Sequence, residues 1–327
     1  MDKNPEKNQK RKYLEKKLNQ LADEEKFDKI VALIEQIPEA ERDWSLIGWY
    51  VRSLNNCGDY ERAIEISLQH KAQGENDLLW HYRYGYALLY SKRHEEAEIV
   101  LRRAIELASE GESVIEWVNE LLEVIEDSKQ KAESERQRRA KKIPRDPNKP
   151  PFIGFDFNGF WDDNDYALDE YVGAPPTDEQ FKQVEKTLGY KLPESYKWLM
   201  KRHNGGMPVN DCHPAETPTS WAEDHIAITG IMGVDPSKKY SLLGSLGSKF
   251  MIEEWGYPDI GIAICDCPSA GHDMIFLDYR YCGKDGEPEV VHIDQEYDYE
   301  ITYIADDFES FIRGLVNGEV FDEEADK

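Results

Sequence analysis

Four residues of the N-terminal half return at a single offset: Tyr50, Leu54, Glu61 and Ala63 reappear 34 residues later as Tyr84, Leu88, Glu95 and Ala97. A repeat of that length is one supersecondary unit, too small to bury its apolar side alone, so copies must stack on their neighbours. From Leu14 to about Lys131 good helix formers carry apolar residues three and four apart, which predicts helices in pairs. Small Ala63, Ala97 and Gly85 fall where paired helices have to approach closely. A weaker unit with Phe27, Ile30, Ile34 and Ile37 precedes these copies, and a helix from Ser113 through Trp117 and Leu121 to Ile125 follows them. Roughly six or seven helices are expected.

The period, with GYALLYSKRHEEAEIVLRRAIEL at residues 85–107 as its best copy, resembles the tetratricopeptide repeat. The first copy departs from that pattern at Val51 and His70. The concave side of such an array holds a peptide or serves as a spacer. Aromatic residues are dense here (Trp44, Trp49, Tyr50, Trp80, Tyr82, Tyr84, Tyr86, Tyr90), and most are read as packing between helices, with some left to line a groove.

The stretch EDSKQKAESERQRRAKKIPRDPNKPP is charged, then basic, then broken by Pro144, Pro147, Pro150 and Pro151, so a solvated helix gives way to extended chain near Lys142. Arg136, Arg138, Arg139, Lys141, Lys142 and Arg145 read as a solvated helix end rather than a nucleic-acid contact. The expected division is 1–128 helical repeats, 129–149 charged helix end and Pro-rich linker, 150–320 an α+β domain and 321–327 an acidic tail. Charge separates the halves. Residues 1–147 hold 26 Lys+Arg against 30 Asp+Glu, while residues 148–327 hold 14 against 36. The second half is poorly suited to a phosphate backbone and well suited to a basic protein surface. The charged start and the lack of a long apolar run predict a cytoplasmic protein that binds no membrane, and the five cysteines are expected as free thiols.

In the second half, Thr177 with Gln180 forms a capping box for a helix carrying Phe181, Val184 and Leu188, stopped by Gly189. Leu192-Pro193 opens another helix, with Tyr196, Leu199 and Met200 inward, ending at a turn of Asn204, Gly205 and Gly206. Strand patterns follow at His225–Ile231, Ile262–Cys265, Met274–Leu277 and Val290–Ile293. Asp306 with Glu309 reads as a capping box for a closing helix with Phe308, Phe311, Ile312 and Leu315. Helices, consecutive strands and a closing helix predict an α+β domain with a largely antiparallel sheet, behind an α-solenoid of helix pairs. No Gly-rich phosphate loop appears.

Three segments, VEKTLGYKLPESYKWLMKRHNGG (184–206), SWAEDHI (220–226) and EEWGYPDIGIAICDCPSAGHDMIFLDYR (253–280), continued by GEPEVVHIDQE (286–296), resemble the SUKH superfamily over about residues 150–320. The resemblance implies a non-catalytic α+β binding domain. Bacterial members are commonly immunity proteins that neutralise polymorphic toxins, often nucleases or deaminases, and fungal members act in cell-wall signalling. The expected function is therefore toxin neutralisation, with an interaction scaffold whose repeats grip a peptide as the alternative, and neither enzyme activity nor a cofactor is expected.

Chemistry concentrates between Gly261 and Arg280. Cys265, Cys267, His272 and Cys282 are ligand types that zinc accepts, but a C-x-C pair lacks the usual knuckle spacing, so no metal is expected. Ser269, His272 and Asp273 have the residue types of a triad yet lie too close together on one turn for a relay. Pro268, Gly271, His272 and Asp273 are best read as a turn that shapes the domain. Among the 16 acidic residues between Phe250 and Glu309, Asp259, Asp266, Asp294 and Glu296 are the expected contacts to a basic toxin cleft.

Overall fold

The structure, a computed structural model, describes residues 5–109, 112–143, 146 and 148–321. Pro144, Arg145, Pro147 and the acidic tail after residue 321 lie outside the described residues. The chain divides into two compact units, Met1–Lys142 and Ile143–Lys327.

The first unit is helical: α1 (Pro5–Asp23), α2 (Phe27–Glu35), α3 (Trp44–Asn56), α4 (Tyr60–Gln69), the single turn α5 (Lys71–Gly74), α6 (Leu78–Tyr90), α7 (His94–Leu107) and α8 (Val114–Lys141). The 34-residue period extends to the helix starts. Asp43 caps α3 by accepting the Leu46 N–H (3.1 Å), and Asp77 caps α6 by accepting the Trp80 N–H (2.9 Å). The other Asp77 oxygen accepts the Trp44 indole N–H at 2.8 Å, so one carboxylate both starts α6 and ties it to α3. Ala63 and Ala97 are fully buried, and a Cβ on Gly85 would stand 2.6 Å from the Leu101 side chain, which is why a small residue is needed there. In the helix that runs through Trp117, Val118, Leu121 and Ile125 carry the packing of α8, and Trp117 is 46% exposed. That helix continues to Lys141 as one rod laced by exposed i,i+3 and i,i+4 ion pairs such as Glu133–Arg136.

The second unit is α+β. In chain order it contains β1 (Trp161–Asp162), α9 (Asp165–Glu170), α10 (Asp178–Leu188), α11 (Glu194–Met200), β2 (Met207–Pro208), β3 (Cys212–Pro214), β4 (His225–Ala227) and β5 (Gly230–Ile231). Then come α12 (Ser248–Glu253), β6 (Gly261–Asp266), β7 (Asp273–Asp278), β8 (Glu289–Asp294), β9 (Glu300–Ala305) and α13 (Phe308–Gly314). Strands β5 to β9 form one antiparallel sheet in sequential order, while β1–β2 and β3–β4 are separate two-stranded pairs. Every residue of β6, β7 and β8 is buried, so both sheet faces are covered. Tyr196 of α11 meets Phe308 of α13 edge-on at 5.2 Å within this core.

The Thr177/Gln180 capping box is formed and Gly189 takes the left-handed conformation that ends α10. The closing helix starts one residue later than expected. Asp307, not Asp306, caps it by accepting the Ser310 N–H (2.7 Å), while Asp306 accepts the Tyr303 hydroxyl proton and Glu309 accepts the Phe152 N–H. At the turn after α11, Asn204 donates to Ala174 O (2.7 Å) and accepts the Val234 N–H (2.9 Å), binding two loops. Gly205 and Gly206 follow at φ 83° and 146°.

Candidate binding face at the turn end of the sheet

The β6–β7 connection is built from its own side chains. Ala270 (φ 60°) and Gly271 (φ 103°) reverse the chain, Ser269 Oγ accepts the Asp273 N–H at 3.0 Å, and the Tyr257 hydroxyl donates to Gly271 O at 2.7 Å. A catalytic relay is excluded by where the three candidates point. Ser269 is turned to backbone, His272 Nδ1 lies 2.8 Å from Glu296, and Asp273 Oδ2 lies 2.7 Å from His292 Nε2.

The four acidic residues read as contacts do not form one face. Asp266 is 6% exposed and accepts the Tyr171 hydroxyl proton at 2.7 Å; burial raises its carboxyl to about 7. Asp294 is 2% exposed and acts as a clamp. Its Oδ2 accepts the Ser220 N–H (2.9 Å) and Oγ–H (2.6 Å), and its Oδ1 accepts the Glu296 N–H (3.0 Å). Both are corrections to a reading from charge alone: these carboxylates are interior, held because the fold gives them donors. Asp259 and Glu296 are exposed, but Asp259 belongs to the other end of β7, where it accepts the Tyr190 hydroxyl proton and the Tyr190 and Tyr279 rings meet. Six strand residues, about 20 Å, separate the two ends.

The zinc-type residues also redistribute. Cys265 is paired opposite Ile275 inside the sheet, and Cys282 lies past the far end of β7, its Sγ donating to Gly283 O at 3.4 Å, so these two do not meet His272. What the fold does bring together is Cys267, Asp273 and His292, with ligand atoms within 4.8 Å of one another and all three residues buried. His292 was not singled out by sequence, because it is 25 residues from Cys267 and sits in what reads as an apolar strand. Burial, with Asp273 and Asp266 close by, holds the Cys267 thiol well above its ordinary pKa.

Around this buried group, the exposed surface is acidic and aromatic. Asp294 ties the 219–224 loop to the β8–β9 turn, and these two segments present Trp221 (51% exposed), Glu223, Asp224, Glu296, Tyr297 (53% exposed) and Asp298. Between the loop and the β6–β7 turn lies a cleft of about 180 Å³ lined by Trp221, His225, Pro268, Ser269 and Asp273, among others. Glu223 and Asp224 stand in the SWAEDHI stretch, so acidic residues flanking a tryptophan were a legible signal for this face.

Residues 178–312 match the SUKH_6 family, described as SMI1-KNR4 cell-wall. This part of the chain is a SUKH domain. The match spans α10 to α13 and so includes the whole five-stranded sheet and the acidic turn end. Among curated proteins none matches the chain. SUKH domains are associated with immunity proteins and cell-wall regulators.

The helical unit, which the family match does not reach, carries a cleft of its own, of about 480 Å³. Tyr82, Tyr86 and Tyr90 recur every fourth residue along α6, with ring centroids 6.3 and 4.4 Å apart, and Trp117 stands 5.8 Å from Tyr82. Arg52 and Arg83 line the same cleft. Of the aromatic residues weighed for this half, Tyr50, Trp80 and Tyr84 are core, and the α6 stripe is groove. Among the described residues no helix is long and apolar enough to cross a membrane.

Proposed function

We propose that the chain is a non-catalytic protein-binding protein that neutralises a toxin enzyme of the nuclease or deaminase class by covering its basic substrate cleft. The observation that carries this reading is the acidic face with exposed Trp221 and Tyr297 on a domain of the SUKH family. Enzymes acting on polyanions line their clefts with Lys and Arg. An acidic face steers such a cleft into encounter, and a central aromatic side chain supplies the buried contact. Asp259 remains a proposed contact only for a partner that reaches the other end of the sheet.

Affinity capture from the source cells with the full-length chain, followed by assay of the captured protein, tests the reading. A nuclease or deaminase inhibited at one-to-one ratio supports it; a captured enzyme that keeps full activity in the complex counts against it. Reversing Glu223, Asp224 and Glu296 to lysine is expected to slow association by about tenfold or more at low salt and to abolish most of its salt dependence. Stopped-flow binding at two ionic strengths reads this directly.

A second reading is favoured by the α6 cleft. Arg83 is largely withdrawn from water, which pulls its pKa down, and it lines a groove of aromatic rings suited to a peptide. Trp117→Ala is then expected to abolish partner capture while the Glu223, Asp224 and Glu296 reversals leave it intact. The opposite pattern favours the SUKH face.

A further inference from the structure

Three buried donors of different chemistry converge at the end of the sheet where the short β6–β7 and β8–β9 connections fold back. The β6–β7 turn sets Cys267 beside Asp273, the first residue of β7. In the β7–β8 register Asp273 stands opposite Asp294 and Ile275 opposite His292. Because side chains alternate along a strand, Asp273, Ile275 and His292 share a face, and the histidine ring reaches diagonally to the aspartate.

We propose that Cys267, Asp273 and His292 form a binding site for a divalent cation of the zinc class, reached through the cleft that Asp273 lines. The three ligand atoms lie within 4.8 Å of one another, and the residues are 2%, 4% and 0% exposed. A tetrahedral ion with bonds of about 2.0–2.3 Å wants its ligands roughly 3.4–3.8 Å apart, so closing the site takes side-chain movement of about 1 Å. The donor set of one thiolate, one carboxylate oxygen and one imidazole nitrogen suits zinc rather than magnesium or calcium, which take oxygen.

A second observation points the same way. The Asp273–His292 pair leaves His292 Nδ1 and Asp273 Oδ1 buried without a hydrogen-bond partner. Each such orphan keeps the cost of its desolvation without recovering it, and a network half-satisfied in the interior is a poor source of stability. A cation turns the surplus lone pairs into ligands. Access is present as well: Asp273, though nearly buried, touches the cleft of about 180 Å³, which gives a route for the ion and room for a water in the fourth position.

This site does not depend on the neutralisation reading, since it concerns only what holds the turn end together. The test is a Co(II) titration of the chelator-treated full-length protein, followed by competition with Zn(II). Expected are a thiolate-to-cobalt charge-transfer band saturating at one equivalent, its loss when Zn(II) is added, and a thermal midpoint raised by several degrees with Zn(II). The exposed thiols Cys57 and Cys282 are the alternative source of such a band. The Cys57→Ala/Cys282→Ala variant is expected to keep it, and the near-isosteric Cys267→Ser variant to lose it. Absence of a band and of a midpoint shift in the parent protein overturns the proposal, as does a band that survives in Cys267→Ser.

Discussion

Replacing Asp266 by asparagine should make the protein's stability markedly less sensitive to pH. The folded carboxyl titrates at about 7 because burial disfavours its charge, against an unfolded value near the ordinary 3.8. Between those values folding takes up a proton, so stability contributed by the neutral acid is lost as pH rises through the window and is gone above it. Asparagine cannot ionise, and its amide oxygen still accepts the Tyr171 hydroxyl proton that Asp266 takes at 2.7 Å. The stability of the variant relative to the parent is therefore expected to rise by about 2–3 kcal/mol from pH 5 to pH 8. Urea unfolding of both proteins in EDTA at the two pH values measures it. A difference that stays constant to within about 0.5 kcal/mol would mean that Asp266 is ionised with an ordinary pKa in the folded protein.

The second large effect is expected at Gly205. Its φ of 83° is costly for any side chain, and an added Cβ would stand 2.7 Å from both the Gly233 nitrogen and the Tyr171 carbonyl oxygen. Both obstacles are backbone, so no rotamer change relieves them. Gly205→Ala should cost about 3–4 kcal/mol, the sum of left-handed strain and overpacking. Hydrogen exchange of peptides from β6 to β8 reads the loss within the second unit, while peptides from α6 and α7 serve as the internal control. Equal protection in parent and variant would mean that the loop around Asn204 yields without cost.

Legibility from sequence followed burial. The strands β6, β7 and β8 are covered on both faces and so read as continuous apolar runs, but β9, EITYIA, is partly exposed at the sheet edge and went unread. The short α9 and α12, six residues each, are too brief for a helical period to show. The 34-residue offset was visible because stacking demands equivalent small residues, as at Ala63 and Ala97. The side of α8 that Trp117 takes was not, because an amphipathic aromatic fits core and groove alike. Charge was the least reliable guide. A carboxylate such as Asp294 or Asp266 contributes the same unit to a net charge of -26 whether it faces a partner or is enclosed by donors, and only the pairing of distant segments decides which. The same holds for Cys267 and His292, which strand register rather than spacing makes neighbours.

The clamp at Asp294 divides labour between anchoring and contact. One enclosed carboxylate receives the start of the Trp221 loop and the start of the Tyr297 turn, so the geometry of the two segments is set below the surface on which Trp221 and Tyr297 stand exposed. A surface built this way can change exposed side chains such as Trp221 and Tyr297 without disturbing the clamp beneath them. Ser220 and Asp294 are the residues such changes have to leave in place.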